Sequence, residues 1–390
     1  MDTTPRLLPF RLFYGWQYLA YGSLYPFLAL YLSAAGFDGV QMGLLFGLTP
    51  LIALLVMPVW GILADTLQVR RTLLTAVCLL AALVALLLPF APGIAAMMAV
   101  MLGLTLFRSP IMPLANAITL DALDRRRDLF PQIRMIGSAT FALATLFVGW
   151  WVVDTHIGWT VYLYAAGMLV ATLVTLRLPR SQARFNARWW EAWHVARGNT
   201  AFLVFSLALV TLQFTHPLAS AYLPLYLKDL GAPGWMIGAA WGIAAALEVP
   251  FMAATPWLMR RYGGKTVLVI FTAAVPIRWL LYSVITNPAY ILPLQFLHSA
   301  SAAAYYAAAI TYVDSLTPLE WKATGQSLFG ALSDGIGIGG GSLAFGIIYQ
   351  RWGLAFAFSI GAAIALIGWL ILVFGVSGRA AAHSTVKAEG

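Results

Sequence analysis

Four charged residues stand inside long apolar runs of this chain: Arg108, Glu248, Arg278 and Asp334. A charge near the centre of a bilayer costs at least ~2.5–3.5 kcal/mol on insertion scales, so such groups face a water-filled cavity or one another. Glu248, in Leu247-Glu248-Val249-Pro250, has the chemistry of a proton carrier, neutral in apolar surroundings and ionised when a guanidinium such as Arg278 approaches. The plainer alternative is a permanent Glu248–Arg278 bridge. Arg108 lies where Pro110 and Pro113 loosen the helix backbone. It can grip a substrate carboxylate with two parallel hydrogen bonds, or pair with a carboxylate on a neighbouring helix. His216, beside Pro217, and His298 are either substrate and proton groups or hydrogen-bonded packing histidines. Asp334 is a second protonation site or a local cap.

These residues must be positioned by membrane helices. Of the 390 residues, 61% are hydrophobic and 9% charged, against roughly 25% charged in soluble domains. The apolar runs are long and continuous, which suits helices of roughly 20 residues and not the short alternating strands of a barrel. Turn chemistry at Gly36/Gly39, Pro92-Gly93, Gly158, Gly231/Pro233, Asn287-Pro288 and Gly353 separates them into twelve spans. The first run, with Trp16 and Gln17 inside it, reads as a retained helix and not as a signal peptide. Among the loops, Lys228 and Arg351 alone are basic on one side of the membrane. The other loop lysines and arginines fall on the side of the chain termini, which places both termini in the cytoplasm.

The expected organisation is a six-helix bundle over residues 1–178, a cytoplasmic linker over 179–200, a second six-helix bundle over 201–378 and a cytoplasmic tail over 379–390. In the linker, Phe185, Trp189, Trp190 and Trp193 recur at helical spacing among arginines, as in a helix lying on the membrane face. A shift of 195 residues aligns Tyr31-Leu32 with Tyr226-Leu227 and Gly36, Gly39, Gly43 and Gly47 with Gly231, Gly234, Gly238 and Gly242. That is a mark of duplication, and paired halves around a midplane site recur among transporters.

The net charge of +9 sits in short loops with no aromatic-interleaved basic face, so nucleic acid is not an expected partner. Cys78 is the single cysteine and the five histidines are scattered, so no metal or other cofactor is expected. Gly335-Ile336-Gly337-Ile338-Gly339-Gly340 spells a dinucleotide pattern, but it lies in an apolar helix with no strand before it and reads as a packing feature. Asp121 and Asp124 lack the second acidic cluster that an intramembrane lipid enzyme would need.

After the second span, Gly61, Asp65, Arg70 and Arg71 form a Gly, an Asp four residues on, and an arginine pair. This resembles the loop signature of the major facilitator superfamily, a conformational gate, with Thr66 and Gln68 departing from its usual basic residue and glycine. Tyr25-Pro26-Phe27, Ile133-Arg134-Met135-Ile136-Gly137-Ser138 and Gly263-Gly264-Lys265, with Arg278 and Leu297-His298 after them, resemble the proton-symporter branch that holds lactose permease and phenylpropionate permease. The resemblance implies substrate binding by Arg134 and proton coupling by Arg278 and His298. Ser301 stands where lactose permease has its proton-carrying glutamate, and Asn116 where it has a sugar-binding glutamate. The phenylpropionate type, with Glu248 and His216, is the better fit.

The sequence is therefore expected to form an all-α major facilitator fold of two pseudo-symmetric six-helix bundles in a bacterial inner membrane, most simply a monomer, and not an enzyme. It is expected to move a small organic solute together with protons, with Glu248, Arg278 and His298 in coupling and Arg134, Asn116, Arg108 and His216 in substrate binding. An aromatic or other organic acid suits these groups. Uncoupled facilitation, or proton-exchanging export of sugars, nucleosides or drugs, remains the alternative.

Overall fold

The computed structural model describes residues 7–179, 199–317 and 321–376, without the side chains of Asp65, Leu67, Arg125, Arg127, Asp128, Tyr306, Ala307 and Ala323. The aromatic-rich linker segment and the tail lie outside the described residues. Every element among the described residues is helical, and together they make twelve passes. Eight helical stretches are apolar and long enough to cross a membrane unbroken, the last of them, Thr324–Gly375, being two passes joined at Gly353.

In chain order, α1 (residues 8–34) is broken by a tight turn at Tyr25–Phe27, where Pro26 cannot continue the hydrogen-bond ladder. Then come α2 (Gly39–Leu67), α3 (Arg70–Phe90), α4 (Gly93–Leu123), α5 (Phe130–Val152) and α6 (Trp159–Thr175). The second half holds α7 (Thr200–Asp229), α8 (Gly234–Tyr262) and α9 (Gly264–Val284), then α10 (residues 295–316), α11 (residues 322–352) and α12 (residues 354–375). Short widened turns interrupt α10 at Tyr305–Ala309 and α11 at Ala331–Gly339. Such bulges are frequent at functional sites.

The duplication has a structural meaning. Gly36 and Gly231, 195 residues apart, end the first helix of each half with φ of +88° and +78°, a left-handed backbone that suits glycine. The glycines that follow line one face of α2 and of α8, four residues apart. A methyl built on Gly43 would lie 2.9 Å from the Ser342 carbonyl oxygen, and one on Gly39 would lie 2.8 Å from that of Gly346. In the same register of α8, a methyl on Gly234 would lie 2.5 Å from the Gly149 carbonyl oxygen, and one on Gly238 would meet that of Thr145. Glycine is thus what lets α2 reach α11 and α5 reach α8, backbone against backbone.

These crossings close one end of the molecule. Between described residues, the hydrogen bonds that join the two halves lie there: Gly39 N–H to Gln350 Oε1 at 2.7 Å, Gly234 N–H to an Asp154 carboxylate oxygen at 2.6 Å, and Lys228 to Asp154 at 3.3 Å. At the opposite end, where residues 7 and 376 lie, the polar ties stay within a half. Arg71 donates to the Leu178 carbonyl, Asn199 to that of Leu316 and Lys265 to that of Val373.

Candidate substrate and proton site

Between the two ends lie polar side chains of both halves. On the first half, the Tyr14 hydroxyl donates to Asn116 Oδ1 at 2.7 Å and lies 3.4 Å from Thr119 Oγ1. Arg134, on the first turns of α5, is exposed and donates to the Tyr18 hydroxyl at 3.0 Å. Gly137 makes room for this, since the Tyr18 ring sits where a Cβ of residue 137 would be. These groups are two phenols, an amide and a guanidinium, of which Tyr14 is fully buried and Arg134 is exposed.

Arg108 is held differently. Its guanidinium lies 4.6 Å from the Tyr25 ring centroid and 5.7 Å from that of Tyr21, and those two rings stack at 4.3 Å. Tyr164 closes the box, edge-on to Tyr25 at 5.9 Å. Aromatic faces carry negative potential, so the box stabilises a buried cation without a carboxylate. The sequence offered pairing with an acid on a neighbouring helix; among the described residues Arg108 has no ion pair.

Glu248, on α8, is half-buried, and among the described residues it makes no hydrogen bond or ion pair. The positive charge that acts on it is Arg134, from the other half of the molecule. The permanent Glu248–Arg278 bridge that the sequence allowed is not formed. Arg278 instead sits in the second half, 4% exposed, with its guanidinium 4.1 Å over the Trp279 ring. Its charge reaches His216 and His298. Nearby, Trp279 donates to Thr215 Oγ1 at 2.9 Å, and Gln295 donates to the Tyr282 hydroxyl at 2.9 Å. His298 touches Trp241 edge-on at 6.5 Å, and Trp241 meets Phe141 of the first half at 6.5 Å.

The structure thus separates what the sequence grouped. The charge of Arg278 reaches His216 and His298, while the charge that reaches Glu248 is that of Arg134. Ser301 is buried and donates to the His298 carbonyl. Asp334 is exposed on the bulged stretch of α11 and makes no hydrogen bond with its side chain among the described residues. The glycines around it pack against Leu54, Gln213 and Gly47, as a packing role requires. In the loop motif, Gly61 ends no helix and lies within α2, Arg70 is buried and Arg71 ties the loop to the end of α6. The Asp65 side chain lies outside the described residues. Three groups escaped sequence reasoning: Tyr164, Trp241 and Asp154. The first two sit in apolar runs where an aromatic is ordinary, and Asp154 is a single acid in a short loop.

Comparisons with known proteins fit this architecture. Residues 7–360 match the family described as "MFS_1 like family". The chain is similar to a maltose permease of Geobacillus stearothermophilus, 29% identical over 93% of both chains. It is also similar to a "Probable 3-phenylpropionic acid transporter" of Escherichia coli, 26% identical over 87% of this chain and 90% of that one. Among solved structures, a D323A mutant of the nucleoside transporter NupG superposes with a TM-score of 0.86 at 19% identity, covering 94% of this chain and 98% of that one. With this fold, its apolar helices and a match over most of its length, the chain belongs to the MFS_1 like family and is an integral-membrane transporter of small solutes, not an enzyme.

Proposed function

We propose that the protein is a proton symporter for a small ring-bearing organic solute, with organic acids the favoured class, working by alternating access between bundles joined through residues 179–200. The observation that supports this most is the placement of Glu248. It is a carboxyl without a fixed partner, near the middle of a membrane helix, acted on by an arginine of the opposite half. When Glu248 takes a proton, its attraction for Arg134 is lost, and the two halves are free to part or close on that side. Protonation is thereby tied to the conformational change that coupled transport requires.

In this reading the solute binds between the Tyr14, Tyr18, Asn116 and Arg134 face and the Trp241, His216 and His298 face. Both termini lie in the cytoplasm of a bacterial cell, the closed end faces outward, and the unit is a monomer. Relatives described as permeases of maltose and phenylpropionic acid support a ring-bearing solute. The test is external pH in a lightly buffered suspension of de-energised cells that express the chain. A panel of aromatic acids, sugars and nucleosides is added one compound at a time. Alkalinisation by one class supports symport; labelled uptake without any pH change indicates a facilitator instead.

A further inference from the structure

We infer that Arg278 is an anion-docking group, and that the transported solute carries a carboxylate which sits on it beside His216 and His298; the inference rests on the transport reading above. A guanidinium out of water is costly unless it is compensated. Arg278 is 4% exposed, yet among the described residues it has no hydrogen bond and no ion pair. Its Nε is fully buried and unpartnered, as is Nδ1 of His216. Trp279 covers one face of the guanidinium and leaves its N–H edge without an acceptor.

The supply of carboxylates is short. Within the helices of this half the described acids are Asp229, the last residue of α7, Asp314, which accepts from Gln326 near the end of α10, Glu248, which feels the charge of Arg134, and Asp334, whose side chain is exposed on α11. None of them acts on Arg278, whose neighbours in charge are the two histidines and the Tyr282 phenol. A planar carboxylate matches the fork of an arginine and would accept from its free N–H groups. The rings that lead from this point to the other half, Trp241 and Phe141, suit an apolar or aromatic body behind that carboxylate. A neutral sugar would leave the guanidinium uncompensated.

Two measurements on the purified full chain test this. Tryptophan fluorescence, which reports on Trp279 and Trp241, is titrated with carboxylate and amide pairs: phenylacetate and phenylacetamide, 3-phenylpropionate and 3-phenylpropanamide, 4-hydroxybenzoate and 4-hydroxybenzamide, with maltose and uridine alongside. The expected result is binding of at least one acid and of none of the amides, weakened ~10–100-fold in Arg278→Met. Binding of amides, maltose or uridine with equal strength in Arg278→Met, or no binding by any acid, overturns the proposal. The second measurement needs no ligand: the ligand-free melting temperature of Arg278→Met rises if the charge is held for a substrate, and falls if Arg278 is a structural partner, which also overturns it. The failures separate. Acid binding without proton movement sinks symport alone, whereas proton movement with neutral solutes and an indifferent Arg278→Met sinks the anion subsite alone.

Discussion

Asp154, in the loop after α5, caps the first turn of α8 in the other half of the molecule by accepting the backbone N–H of Gly234 at 2.6 Å. Gly39, 195 residues before Gly234, has the same relation to Gln350. Each half therefore satisfies a free N–H at the start of the other half's second helix. One cap is charged and one is neutral, and a carboxylate gains further from the positive end of the helix.

Asp154→Ala should weaken the closed end. Loss of a cap costs about 0.5–2 kcal/mol, and Asp154 is 42% exposed, so a value near the lower half of that range is expected. The closed-to-open ratio then falls by about 2–8-fold. Lys228→Ala removes only a pair between exposed side chains and should change it by less than ~1 kcal/mol. Distances between spin labels on the loops of the closed end read both variants. Equal effects of the two would mean that the helix cap contributes nothing.

Gly238→Val should stop the closed end from forming at all. The added side chain meets the Thr145 carbonyl, which is backbone and cannot swing aside. Transport should fall to background while the protein still inserts and binds solute from the outer side. Cys78 is buried, so a cysteine introduced in α11 at Ser342 is the reactive thiol of choice. Its labelling from outside should rise at least several-fold in the variant. Unchanged labelling with normal uptake would show that the α5–α8 crossing is not a gate.

Tyr14→Phe removes the donor that fixes Asn116. A hydrogen bond of this kind contributes about 0.5–1.5 kcal/mol, so KM should rise ~3–10-fold with little change in maximal rate. A fall in rate at constant KM would place this pair in the conformational step and not in binding.

Much of the scaffold could be read from the sequence, because it rests on local rules. Composition demanded the bilayer, and the spacing of Gly36, Gly39, Gly43 and Gly47 with their counterparts marked the helix end and the packing face in each half. Gln68, where the superfamily loop usually has glycine, has φ of +52°, which explains that usual residue. The site was less legible, since it depends on which faces of the two halves meet. Glu248 stood out as a candidate proton carrier from its place in an apolar run. Its counterpart was not: Arg278 is closer in sequence, yet Arg134, 114 residues away in the other half, supplies the charge. Asp154 carries no local signal, because the N–H it caps belongs to the other bundle.

The most direct test of coupling is Glu248→Gln, which keeps the size of the side chain and removes its exchangeable proton. Uptake of labelled solute is measured twice, once against a gradient with an imposed proton-motive force and once as exchange between equilibrated compartments. A coupling role for Glu248 predicts that concentrative uptake disappears while exchange continues at a comparable rate. A Glu248→Gln protein that still accumulates solute uphill would contradict it, and would make Glu248 a structural residue.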